Sequence, residues 1–194
     1  MLDSPYVRRV AISLQLLELP FEHQSLSVFR GFDEFRRTNP VVKAPTLVCD
    51  DGTVLMDSTL ILQYAEALAG RSLLPALARS LRTVGLALAA CEKAVQIVYE
   101  HGLRPAEKQH QPWLDRVTGQ LLAACDGLEQ AMPTGMDQAG VSTAVAWEFI
   151  QKSVPEAVPA ARYPRLVAFS QAAEALPAFA AAPHGDSTYR SAGR

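Results

Sequence analysis

Two short stretches put polar groups where a helix begins, and both suit a charged ligand. Ser4-Pro5 stands ahead of a periodic run that ends at Glu18. Serine is a good N-cap and proline a good first helical residue. The free N–H groups of that first turn and the helix dipole draw negative charge, and a hydroxyl at Ser4 can donate to it. Asp57-Ser58 opens another helix. Its hydroxyl and N–H sit where a carboxylate is naturally held, and Asp57 supplies the opposite sign for an ammonium. Ala44-Pro45 precedes a short apolar run, with Lys43 beside it. An X-Pro bond adopts cis at modest cost. Each stretch also has a plainer reading. Ser4 and Asp57-Ser58 serve equally as caps, Pro45 as a trans residue starting a strand, and Lys43 as a solvated loop lysine.

Other reactive side chains argue less. Cys49, Cys91 and Cys125 are odd in number, widely spaced and set in apolar surroundings. They read as reduced and buried, and no CxxC offers dithiol chemistry. His23, His101, His110 and His184 are scattered, so no metal site is expected.

The elements that must position these residues follow from periodicity. Val7, Val10, Ala11, Leu14 and Leu17 form one helical stripe from Pro5 to Glu18, and Ile12, Leu16 and Leu19 form a second. A helix apolar on two faces is covered on two sides; Arg8 and Arg9 read as surface or interdomain residues. Phe21 to Val28 predicts a strand, and Gly31 to Thr38 a short helix with Phe32 and Phe35 inward. Pro45–Cys49 and Thr53–Met56 predict strands, joined through Asp50-Asp51-Gly52 as an antiparallel hairpin. Ser58 to Ala69 is the next helix, with Leu60, Ile61, Tyr64 and Leu68 inward and Gly70 as its stop. Beyond Pro75 the chain turns helical and Ala/Leu-rich, with long helices over roughly 77–101, 111–131 and 138–153 and another near 164–176. Asp137 caps the third, and the tail from His184 reads as loose. Alternation followed by pure helix predicts an α/β domain over residues 1–74 and an all-helical domain over 75–194.

The composition narrows the function. Of 194 residues 49% are hydrophobic, enough for a real core, and 18 Lys+Arg stand against 20 Asp+Glu. No like-charge block exceeds a pair, which gives nucleic-acid binding and a polybasic anchor little support. No apolar run approaches the roughly 18 residues of a membrane span. Met1-Leu2-Asp3-Ser4-Pro5 lacks the parts of a signal peptide, so a cytoplasmic location is expected.

The predicted order, strand-helix-strand-helix-strand-strand-helix, is the thioredoxin-like order, and four local features resemble the cytosolic glutathione transferases. They are Ser4-Pro5-Tyr6-Val7-Arg8-Arg9-Val10 and Asn39-Pro40-Val41-Val42-Lys43-Ala44-Pro45-Thr46-Leu47. Next come Asp57-Ser58 with Ile61 and Tyr64, and last Tyr163-Pro164 through Leu176-Pro177-Ala178-Phe179. The resemblance covers nearly the whole chain, and the opening motif is similar to that of serine-type, theta- and zeta-like members.

The resemblance implies a βαβαββα thioredoxin-like domain that binds glutathione and a helical domain that covers it. Ser4 then activates the thiol as thiolate by donating a hydrogen bond to sulfur. Ala44, ahead of a cis Pro45, pairs with the cysteinyl unit; Lys43 faces the glycyl carboxylate; Asp57 and Ser58 read the γ-glutamyl end. Tyr99, late in the first long helix of the second half, is the candidate for the electrophile pocket, against a packing role for it and for Trp147. The resemblance also implies a homodimer, glutathione as co-substrate with no metal, and detoxification by attack on an apolar electrophile. Glutathione-dependent isomerisation or dehalogenation, and a non-catalytic binding module on the same fold, stay open. Two features depart from the family. Only Met1–Asp3 stand where it has a full inner strand, and Gly140 replaces the acid that would complete a capping box after Asp137.

Overall fold

The computed structural model describes residues 1–74 and 77–189. Its elements are α1 (Pro5–Leu16), α2 (Phe32–Thr38), β1 (Thr46–Val48), β2 (Val54–Met56), α3 (Ser58–Ala69), α4 (Ala78–Leu103), α5 (Gln111–Gln130), α6 (Gln138–Ser153), α7 (Pro164–Glu174) and α8 (Pro177–Ala180). They divide into two compact units, Met1–Leu73 with the chain from Ala175 onward, and Leu74–Glu174. The composition change read at Pro75 lies outside the described residues.

In the first unit Ser4 and Pro5 start α1 as expected. Val10, Leu14 and Leu17 of its apolar stripe pack with Ile61, Leu62 and Ala65 of α3 to make the core, and Leu19, Phe21, Leu47 and Leu55 close around it. β1 and β2 form the predicted antiparallel hairpin in the register Thr46↔Met56, Leu47↔Leu55, Val48↔Val54. Its turn needs Gly52, whose φ is 85°. Gly70, at φ 64°, ends α3.

Several expectations fail here for identifiable reasons. Phe21–Val28 forms no strand: it has no regular structure as far as Ser27, and Val28 lies in a turn. β1 pairs with β2 on one edge, and a cavity of 510 Å³ lies between β1 and the segment around Phe21, lined by both. Without an adjacent backbone no ladder forms. On α3, Ile61, Leu62 and Ala65 turn inward, whereas Leu60, Tyr64 and Leu68 are exposed. Phe35 is buried but Phe32 is not. Arg8 and Arg9 are buried, at 1% and 3% exposure, which removes the surface half of their surface-or-interdomain reading. The Arg8 Nε–H donates to the Ala182 carbonyl at 2.7 Å, and its guanidinium lies 5.6 Å from the Phe179 ring centre. Gln15 donates to the Ala178 carbonyl at 2.9 Å. The returning chain is thus held on α1, and α8 was not foreseen. The tail is tied down as far as Tyr189: its ring stacks on Phe21, and its N–H donates to His23 Nδ1 at 3.0 Å. The rest of the tail lies outside the described residues.

In the second unit the long helices match their predicted spans closely. Helix α6 is buried almost all round, with Ala144, Ala146, Val141 and Ile150 at 0–1% exposure. The Asp137 carboxylate accepts from the N–H groups of Ala139 and Gly140 at 2.8 and 3.1 Å. A Cβ on Gly140 would come within 1.9 Å of the Gly135 carbonyl oxygen, so close backbone approach forbids the acid of a full capping box. Trp147 packs edge-on to Tyr163, whose hydroxyl donates to Asp126 at 2.9 Å. Cys91 and Cys125 are buried, as expected, while Cys49 is only half-buried. Burial, with Asp126 beside it, pushes the Cys125 thiol up to about 12, which leaves it inert.

Candidate functional site

The polar candidates collect at two helix starts and one loop of the first unit. At α1 the Ser4 backbone is extended (φ −72°, ψ 123°), and its oxygen accepts from the Val7 N–H at a long 3.4 Å. The cap reading of Ser4 therefore holds. It uses the oxygen as acceptor and leaves the hydroxyl proton available for a sulfur or oxyanion beside it.

The loop into β1 is pinned by a residue whose role went unrecognised. Asn39 is 1% exposed. Its side chain donates to Thr46 Oγ1 at 2.9 Å and accepts from the Val41 N–H at 3.0 Å, while Thr46 Oγ1 donates to the Lys43 carbonyl at 2.7 Å. An asparagine ahead of proline is a strong turn signal, and this was the clue. The pinning presents Ala44-Pro45, whose peptide bond is cis as expected. Among the described residues the Ala44 N–H and C=O enter no backbone hydrogen bond, so both remain open to a ligand.

Helix α3 begins with Asp57, which caps it by accepting from the Thr59 N–H at 2.9 Å. The other Asp57 oxygen lies 3.6 Å from Lys43 Nζ, joining the loop to the helix start. Ser58 is 4% exposed. Its oxygen accepts from Arg9 Nη1 at 3.1 Å, and the same nitrogen reaches Thr59 Oγ1 at 3.2 Å. Arg9 was read only as a surface or interdomain residue, yet it lies three residues before Ile12 and four before Ser13, both fully buried. Among the described residues the Ser58 N–H has no acceptor.

The structure thus links Lys43 to Asp57 and brings a buried guanidinium to Ser58. The 510 Å³ cavity is a separate feature: Met1, Ala44 and Pro45 line it, but Ser4, Lys43, Asp57 and Ser58 do not. Tyr99 lies on α4 and is 44% exposed. Among the described residues no group of three or more His, Cys, Asp or Glu could hold a metal ion, and no helix is long and apolar enough to cross a membrane.

Residues 1–73 match the family model described as "Glutathione S-transferase, N-terminal domain". No curated protein sequence matches the chain. Among solved structures, a glutathione transferase family member from Pseudomonas fluorescens with bound glutathione is 29% identical, with a TM-score of 0.82 over 94% of this chain and 95% of that one. A glutathione S-transferase from Methylobacterium radiotolerans in complex with glutathione sulfonate is 25% identical, with a TM-score of 0.80 over 92% and 89%. One from Methylobacillus flagellatus, at 19% identity over 92% and 94%, shares the fold with a TM-score of 0.81. The architecture is that of these proteins, a thioredoxin-like unit with a small antiparallel sheet and a mostly helical region after it.

Proposed function

We propose that this chain is a serine-type, theta/zeta-like glutathione transferase that holds glutathione in its first unit and directs the thiolate at an apolar electrophile. The observation that carries the reading is the double helix start of a unit matching the glutathione S-transferase N-terminal domain: α1 with Ser4, and α3 with Asp57 and Ser58. The glutathione bound in the Pseudomonas and glutathione sulfonate in the Methylobacterium protein support it.

Ala44 offers its open N–H and C=O to the cysteinyl backbone. Ser58 offers a hydroxyl and N–H to the γ-glutamyl carboxylate, and Asp57 faces its ammonium. Lys43 is shared between Asp57 and the glycyl carboxylate. An unperturbed thiol, of pKa about 8.5, is mostly protonated at neutral pH. The N–H groups of α1 and the Ser4 hydroxyl favour the charged sulfur. The thiol proton passes to solvent, sulfur bonds to the electrophilic carbon, and the leaving group departs with the electron pair. Rate enhancement comes from thiolate stabilisation and positioning. The Pseudomonas protein has also been crystallised with S-(propanoic acid)-glutathione, a glutathione substituted at sulfur. Detoxification of such electrophiles in the cytoplasm by a homodimer, with Tyr99 beside the electrophile, completes the proposal.

The Val7–Ser4 bond favours one second reading, in which Ser4 only caps α1 and the protein binds glutathione without turnover. Conjugation of an aromatic halide, measured together with glutathione binding by calorimetry, decides between them. Binding with turnover supports the enzyme, binding alone the module, and no binding refutes both.

A further inference from the structure

Ser58 is expected to meet a carboxylate, but a serine hydroxyl rotates and can as readily present its lone pairs, which would repel one. Arg9 removes that ambiguity. Its Nη1 donates to the oxygens of Ser58 and Thr59 at 3.1 and 3.2 Å, from a side chain only 3% exposed. A guanidinium is charged at every accessible pH and has no acceptor atom. Neither hydroxyl can therefore point its proton at Arg9, and each keeps that proton for another acceptor. The fixed positive charge lies behind the start of a helix whose own dipole is positive at that end. Asp57, the nearby acid, uses its oxygens for the Thr59 N–H and Lys43.

We infer that Arg9 is the positioning residue of the carboxylate site at α3. It turns the Ser58 hydroxyl outward as a donor, so that the α-carboxylate of a γ-glutamyl ligand is selected without Arg9 touching it. The inference rests on the glutathione-binding reading above. It requires that the benefit of Arg9 be felt only by ligands that carry this carboxylate, and only through Ser58.

Calorimetry on the full chain tests it with two ligands, glutathione and 4-aminobutyryl-cysteinyl-glycine, which lacks the α-carboxylate. Arg9→Gln weakens glutathione binding roughly tenfold, the weight of one charge-assisted hydrogen bond. Ser58→Ala does so comparably, and the double variant loses no more than the worse single one. The truncated ligand binds wild type and variants alike, because it lacks the group that Ser58 receives. Should Arg9→Gln fold poorly, Arg9→Lys keeps the charge behind the helix. Its glutathione-to-analogue affinity ratio must then fall while staying above that of Ser58→Ala. If Arg9 variants weaken both ligands equally, or add fully to Ser58→Ala, Arg9 is only structural and the inference is overturned while the glutathione site stands. If wild type binds no glutathione, both fall.

Discussion

Lys43 Nζ and Asp57 Oδ2 lie 3.6 Å apart, and each side chain is about half exposed (50% and 44%). Solvent screens such a pair, so it contributes little to folding. Its value is positional, because it ties the loop of the cis proline to the start of α3. Lys43→Met is expected to leave stability within about 1 kcal/mol of wild type and to weaken glutathione binding about two- to fivefold. Urea unfolding and calorimetry check both halves. A large stability loss would show that the lysine anchors the fold rather than a ligand.

Ser4→Ala separates activation from capping. Loss of a charge-assisted bond worth roughly 1.5–3 kcal/mol predicts a fall of about ten- to a hundredfold in rate at neutral pH. The bound thiol titrates at higher pH, while binding of the neutral thiol hardly changes. A pH–rate profile with ultraviolet titration of the thiolate measures this. Identical profiles for the two proteins would reduce Ser4 to a cap.

Arg8 holds the returning chain through the Ala182 carbonyl and the Phe179 ring. Both Ala182 and Phe179 are buried, at 0% and 1% exposure. Arg8→Ala leaves a buried carbonyl without its donor and is expected to destabilise by about 1.5–3 kcal/mol. Limited chymotrypsin digestion should then cut at Phe179, which wild type protects.

His23 makes the fold acid-sensitive. Burial lowers its pKa from 6.5, and its Nδ1 must be unprotonated to accept from the Tyr189 N–H. The folded state therefore takes up this proton at lower pH than the unfolded chain does. Stability is full above the unfolded value, falls as pH drops through 6.5, and levels once the folded ring is itself protonated. His23→Gln should flatten the difference between urea midpoints at pH 7.5 and 5.5, two conditions that bracket the ordinary value of about 6.5. An unchanged difference would place the sensitivity elsewhere.

Leu60, Tyr64 and Leu68 make an exposed stripe on α3, at 58%, 42% and 64% exposure. Such a stripe suits a closed two-fold contact between copies, the commonest soluble assembly. Leu60→Glu with Leu68→Glu is expected to yield a folded monomer in sedimentation at micromolar concentration, where wild type is expected to sediment as a dimer. A wild-type monomer would rule the contact out.

The helix starts were legible because their signals are local. Asp57, Asp137 and Ser4 cap within three residues, and Gly70 stops α3 through its own φ of 64°. What escaped depends on partners distant in sequence. Helix α3 carries apolar residues on two sides, and only packing against α1 decides that Ile61 rather than Leu60 is covered. Phe21–Val28 has strand composition but no neighbouring strand. Arg8 and Arg9 read only as surface or interdomain residues because the acceptors that hold them, at Ala182 and Ser58, lie 174 and 49 residues away.

Two residues flanking the loop and the helix start hold backbone angles that L-amino acids disfavour: Val42 at φ 52° and Asp57 at φ 75°. Each costs about 1–3 kcal/mol that glycine would relieve. Heat tolerance and ligand recognition therefore pull in opposite directions at these positions. Selection for thermal resilience alone would drive both toward glycine and erode the pinned loop and the acid at α3, so a sequence tuned only for robustness would lose the geometry on which the proposed ligand site depends.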